Sequence, residues 1–169
     1  MNFVHFVEVD RQKYNREYVM IMVRNKYHNK SCHIDGIRFA SIAESRRYIE
    51  LKNLKAAGKI KDFKLQPSYL LQPAFRKCPS CHHIQQHIKG SRKKSDILCE
   101  NCQTRTAVIE SINYIGDFLV IHNDGSEILE DVKGTKGYMD PVFKLKHKIF
   151  ESKYPEKTIK IVVMSGRKK

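Results

Sequence analysis

Four of the chain's five cysteines stand in two C-x-x-C pairs, Cys78 with Cys81 ("CPSC") and Cys99 with Cys102 ("CENC"), and 17 residues separate the pairs. No other feature restricts the local fold so tightly. Each pair offers two thiolates from one tight turn, and the intervening loop is long enough to bring the second pair back to the first. Four sulfurs presented in this way suit a tetrahedral Zn2+. His82, His83 and His87 are the nearest alternative ligands should one thiolate go unused. A shell filled by sulfur has no open position, so this zinc is expected to be structural, and residues 76–106 read as a zinc-ribbon insert. Cys32 reads as a small buried residue to which no role is assigned. The opening "MNFVHFVEVD" lacks the basic-then-apolar layout of an export signal. A reducing, cytoplasmic setting is therefore expected, in which metal ligation is favoured over disulfides.

Charge narrows the partner. The 169 residues carry 32 Lys and Arg against 18 Asp and Glu, a net charge of +14. Such a balance calls for an anionic partner, nucleic acid first. Lys89, Arg92, Lys93 and Lys94 in the ribbon loop, after Arg76 and Lys77, read as phosphate contacts. No apolar run approaches the ~20 residues of a spanning helix, so no membrane partner is expected.

Around the ribbon the elements alternate. Residues 1–25 fit either a strand with a short helix or an accessory arm, and are assigned as an N-terminal arm. "FASIAESRRYIELKNLKAAGKI" predicts a helix that ends near Gly58, with Ser41 as N-cap and Glu44 at the capping-box distance. "DFKLQPSYLLQPAF" predicts short extended segments at a sheet edge. "AVIESINYIGDFLVI" and "EILEDVKG" read as strands joined at Asn123-Asp124-Gly125, a strong hairpin signal. "PVFKLKHKIFESKYP" predicts a helix whose stripe is Val142, Leu145, Ile149 and Phe150, and "TIKIVVMSG" a final strand. The unit strand–helix–strand at the end implies a parallel pair, hence an α/β class with a mixed sheet. The core is assigned to 26–75 and 107–169.

The hairpin carries charges where threonine or valine would be ordinary. Strand side chains alternate faces, so Asp131 and Lys133 point one way while Glu130 and Val132 point the other. Asp117 on the first strand can meet Asp131 and Lys133 if the register aligns their faces. Two adjacent carboxylates repel unless a cation lies between them, and a divalent ion such as Mg2+ is the simple remedy. The Val132 carbonyl is a further candidate oxygen ligand, and Lys133 a candidate to position water or stabilise charge developing on a phosphate.

D-x13-D-x-K, with a helical glutamate upstream, resembles the PD-(D/E)XK nuclease superfamily and its restriction-endonuclease-like fold, a mixed β-sheet flanked by helices. "FASIAE", "DFLV", "EDVKG" and "IKIVVMS" are similar in order and spacing to segments of phage junction-resolving endonucleases of the endonuclease I type. A transposase nuclease subunit has a related arrangement. The run from "DGIRFASIAE" to "FKLQP", with "YIGDF" and "EDVKG", is similar to a phage-encoded family usually described as endonucleases. The likeness spans about residues 26–75 and 107–165. It implies that Asp117 and Asp131 are metal ligands, that Lys133 is the catalytic lysine and that Glu44 is the helical glutamate, with Glu50 a weaker candidate. It further implies catalytic Mg2+ or Mn2+, branched DNA such as Holliday junctions as substrate, a homodimer, and a phage protein acting in the host cell. Gly116 stands where the motif name has proline, and Gln66 is a candidate to line the site. The rival from another class is a non-catalytic zinc-ribbon protein that binds nucleic acid on a nuclease-like scaffold; an RNA-binding or RNA-cleaving ribbon protein is a second.

Overall fold

A computed structural model describes residues 21–24, 30–87, 97–135 and 139–164. The basic residues Lys89, Arg92, Lys93 and Lys94 lie outside the described residues, as does the assigned arm up to residue 20. The chain is mixed α/β and rich in sheet, with two helices among the described residues. It divides into two compact units, one drawn from Met1–Pro67, Gly116–Asp140 and Lys157–Lys169, the other from Ser68–Ile115 and Pro141–Glu156.

In the first unit, β1 (Ile21–Arg24), β2 (Lys30–Ile34) and β3 (Ile37–Phe39) form an antiparallel meander. Residues 21–24, given to the arm on sequence grounds, are thus the edge strand of this sheet. The helix α1 (Ile42–Ala56) begins at Ser41, whose hydroxyl accepts the Glu44 N–H, and it closes before Gly58 at φ +67, as its capping residues predict. The second sheet of the unit is ordered β12-β11-β10-β4, from β4 (Asp62–Leu65), β10 (Phe118–Ile121), β11 (Glu127–Lys133) and β12 (Ile159–Val163). The pairs β4–β10 and β10–β11 are antiparallel and β11–β12 is parallel, so the sheet is mixed.

The hairpin turn forms where expected: Gly125 takes φ +87, and Asp124 accepts from both the N–H and the hydroxyl of Ser126. Phe118 and Val120 of β10 and Val132 of β11 are buried together with Tyr48 and Leu51 of α1 and Ile34 of β2. A chain of rings, Phe39–Tyr48–Phe63–Phe118, runs through this core at centroid spacings of 5.0, 5.8 and 6.4 Å.

In the second unit, β5 (Ser68–Gln72) pairs with β9 (Ile112–Ile115), and β6 (Phe75–Lys77) lies between β7 (Ile84–Gln86) and β8 (Ala107–Ile109). The run "AVIESINYIGDFLVI" is therefore three strands, broken at Glu110-Ser111 and at Gly116-Asp117, where a single strand was expected. The helix α2 (Pro141–Lys153) packs on β5 and β9. Its predicted stripe is corrected: Val142 and Leu145 are exposed, and only Phe150 of α2 is fully buried. Aromatic side chains replace the aliphatic stripe. Phe150 meets Tyr69 and Tyr114, and Phe143 meets Tyr114, because flat rings from a narrow two-stranded sheet reach a helix that small apolar residues would leave uncovered.

Candidate functional site

The four cysteines converge. Their sulfurs lie within 4.8 Å of one another, with Cys78–Cys102 at 3.4 Å, Cys81–Cys99 at 3.5 Å and Cys81–Cys102 at 3.4 Å. A tetrahedron built on ~2.3 Å Zn–S bonds has edges of about 3.8 Å, so the sulfurs fit such an ion. The two turns repeat one design. His82 N–H donates to the Cys78 carbonyl and Cys78 N–H to His83; Gln103 N–H donates to Cys99 and Cys99 N–H to Thr104. His82 and Gln103 both take positive φ, at 59 and 58. Gln85 joins the halves, donating to the Leu98 carbonyl and accepting from Glu100 N–H. The thiols are driven apart electrostatically. The Thr104 hydroxyl and N–H bring Cys102 down to about 6. Cys81, although the His83 N–H favours its thiolate, is pushed up to about 12, chiefly by the Cys102 sulfur. A cation among the sulfurs removes that conflict, and the cluster can hold a metal such as zinc. His82 and His83 follow the first pair in sequence without joining the cluster.

Arg76 is corrected. The sequence places it among the phosphate contacts, yet it is 1% exposed. Its Nε donates to the Thr106 hydroxyl at 2.7 Å and its Nη2 to the Thr106 carbonyl at 2.9 Å. The guanidinium anchors β6 beneath the ribbon because a central strand directs every second side chain inward, and Arg76 falls on that inward position between exposed Lys77 and half-buried Phe75.

The acid-and-lysine set lies wholly in the first unit. The last regular pair of the β10–β11 ladder is Phe118 with Glu130. Just beyond it Asp117 is pinned through its backbone: its N–H donates to the Glu130 carbonyl and its carbonyl accepts from Gln66 N–H, both at 3.0 Å. Its carboxylate turns along β11, and Oδ2 accepts the Val132 N–H at 2.6 Å. Val132 thus meets the set through its amide. Two residues along, Lys133 Nζ pairs with Asp131 Oδ1 at 2.5 Å, with Asp131 buried and Lys133 half-buried. Asp117 is raised from 3.8 to about 7, first by burial, then by the negative charges of Glu44 and Asp131, against the Val132 N–H and Lys133, which lower it. Burial thus disfavours the charged form of Asp117, and a hard divalent cation at the carboxylates would favour it.

Of the two roles that the sequence leaves open for Glu44, the structure shows the helix cap. The Glu44 N–H donates to the Ser41 hydroxyl oxygen, its Oε1 accepts from that hydroxyl, and its Oε2 reaches back to the N–H of Ala40, one residue before the N-cap. Its charge nevertheless acts on Asp117. The three carboxylates are not drawn into a closed cage: among the described residues, only the four cysteines bring three or more ligand atoms within 4.8 Å of one another. Glu50 is instead paired with Arg47 at 2.8 Å. Gln66 has an exposed side chain and φ +46, and it serves Asp117 by its backbone.

Gly116 has a local reason. A Cβ there would meet Leu129 Cδ1 at 2.6 Å, and the Gly116 N–H donates to the Pro67 carbonyl, a bond that proline could not make. Sequence reasoning misses Arg47; Glu130, which faces away from Asp131 and reads as a solvated or paired acid, is the paired one and is buried. Glu130 is 2% exposed and takes two bonds from Arg47, Nε to Oε2 and Nη2 to Oε1, each at 2.8 Å. The signal was present: an acid on the core-facing side of β11 requires a cation, and Arg47 lies one turn after Glu44 on the helix that covers that face.

No curated protein and no solved structure matches the chain. A family model described as "Protein of unknown function (DUF1064)" matches residues 24–169. The chain, matched over most of its length, belongs to the DUF1064 family.

Proposed function

We propose that this chain is a metal-dependent endodeoxyribonuclease of the PD-(D/E)XK type, with a restriction-endonuclease-like core and a structural zinc ribbon. The observation that carries the reading is the meeting of Asp117, Asp131 and Lys133 at one end of the β10–β11 pair, with Asp117 raised to about 7 by burial among acids. A scaffold gains nothing from such a cluster. Asp117 and Asp131 would hold Mg2+ or Mn2+, with the Val132 carbonyl as a further oxygen ligand and Glu44 as a third carboxylate reached from the helix cap. When bound, the ion polarises a phosphate oxygen and lowers the pKa of water.

The chain's own residues do the rest. The Val132 N–H fixes the Asp117 carboxylate in orientation, and Asp131 holds the Lys133 ammonium at the site. Lys133 is then placed to donate to charge developing on a phosphate as water adds to phosphorus and the bond to the leaving sugar oxygen breaks. Lys77, exposed on β6, and the basic residues Lys89, Arg92, Lys93 and Lys94 supply phosphate contacts. Branched DNA such as a four-way junction is the proposed substrate and a homodimer the proposed form, acting in the cytoplasm of a phage-infected host. The test is cleavage of labelled junction, flap, duplex and single-stranded DNA in Mg2+ or Mn2+, with matched RNA controls. The full engagement of Glu44 in its cap favours the rival reading, a ribbon protein that binds nucleic acid without cutting, and binding without cleavage across divalent metals establishes it.

A further inference from the structure

The proposed chemistry does not use the ion pair between Arg47 and Glu130, and its setting is unusual. Glu130 is almost wholly buried, yet it keeps a full fork-to-fork bond to Arg47, with both contacts at 2.8 Å, while Arg47 also reaches Glu50 at 2.8 Å. Lys160 lies 3.9 Å away across the parallel β11–β12 ladder. A buried pair of this kind adds little net stability over apolar side chains of the same volume, because desolvation offsets the attraction; what it does supply is a fixed geometry.

Its position gives that geometry a purpose. Arg47 stands one turn after Glu44 on α1, and Glu130 is the residue before Asp131 on β11. The Glu130 carbonyl accepts the Asp117 N–H at 3.0 Å. A single side-chain contact therefore ties the helix that carries one carboxylate to the strand that carries the second, and through one backbone bond to the third. Resting on the proposed nuclease reading, we infer that Arg47 and Glu130 are positioning residues that set the spacing of Glu44, Asp117 and Asp131 for a divalent cation. They touch neither the ion nor the substrate. Glu130→Gln keeps the shape and removes the charge; Arg47→Lys keeps the charge and removes the fork.

The experiment is calorimetric titration of Mn2+ into the full-length, zinc-loaded chain, at a temperature where each variant is folded by circular dichroism. Wild type should bind Mn2+, and Asp131→Asn should abolish that binding. Glu130→Gln and Arg47→Lys should each weaken it by about tenfold or more, with zinc content and metal-free DNA affinity unchanged. A purely structural pair would lower the melting temperature but leave the Mn2+ affinity of the folded chain at the wild-type value, and that result overturns the inference alone. No Mn2+ binding by wild type overturns the inference and the nuclease reading together. Should Glu130→Gln fail to fold, Arg47→Lys gives the same decision.

Discussion

The carboxylate of Asp117 accepts the backbone N–H of Val132 at 2.6 Å, so the side chain of one hairpin strand is moored to the other strand between Asp131 and Lys133. This bond determines which way Asp117 faces; burial first, and then the charges of Glu44 and Asp131, raise the carboxyl to about 7 although the Val132 N–H itself lowers it.

A pH dependence follows from that shift. The carboxyl titrates near 3.8 in the unfolded chain and near 7 in the fold, so its folded value is raised. Below the unfolded value both states hold the proton and the site does not oppose folding. As pH rises from about 4 through 7 the unfolded chain releases its proton first, and stability falls. Asp117→Asn keeps an oxygen for the Val132 N–H and cannot ionise. In metal-free protein it should exceed wild type in stability at about pH 8, by up to ~4 kcal/mol, and the two should converge near pH 4. Denaturant melts at the two pH values measure this. Mn2+ should close the gap by stabilising wild type only.

Arg76 separates anchoring from recognition. Arg76→Ala leaves the Thr106 groups without their partner inside the second unit, and it should cost ~2–4 kcal/mol in thermal or denaturant unfolding. Lys77→Ala, one residue on and exposed, should leave stability unchanged and reduce the salt dependence of DNA binding by about one ion. Equal effects of the two on the salt slope would contradict this division.

Much of the site was legible because it depends on local rules. Face alternation places Asp131 with Lys133 and sets Glu130 apart, the NDG turn sets the register, and S-x-x-E predicts the Ser41–Glu44 cap; each needs only a few neighbouring residues. The errors arise where distant chain decides the outcome. Arg76 reads as one more base in a basic run until β7 and β8 enclose it, and Val142 and Leu145 read as a stripe until Tyr69 and Tyr114 select the aromatic side of α2. Arg47 has no local signal because its partner is 83 residues away.

The cysteine cluster makes a separate prediction. Protein purified without chelator should contain about one zinc per chain. Removing it, or changing Cys99 to Ser, should unfold the ribbon, seen as new protease cuts within residues 76–106, because the short strands there have little apolar core of their own. Zinc-free protein with an intact ribbon would contradict a structural metal.

The central claim is that Asp117, Asp131 and Lys133 form a cutting site, and cleavage by Lys133→Ala tests it most directly. Wild type incubated with labelled four-way junction in Mg2+ or Mn2+ should release shortened strands. Lys133→Ala should lose cutting by at least about 100-fold, the scale for removing a group that stabilises transition-state charge, while binding the same junction nearly as well. A wild-type chain that binds the junction and leaves it whole in every divalent metal, or a Lys133→Ala chain that cuts at the wild-type rate, would contradict the account.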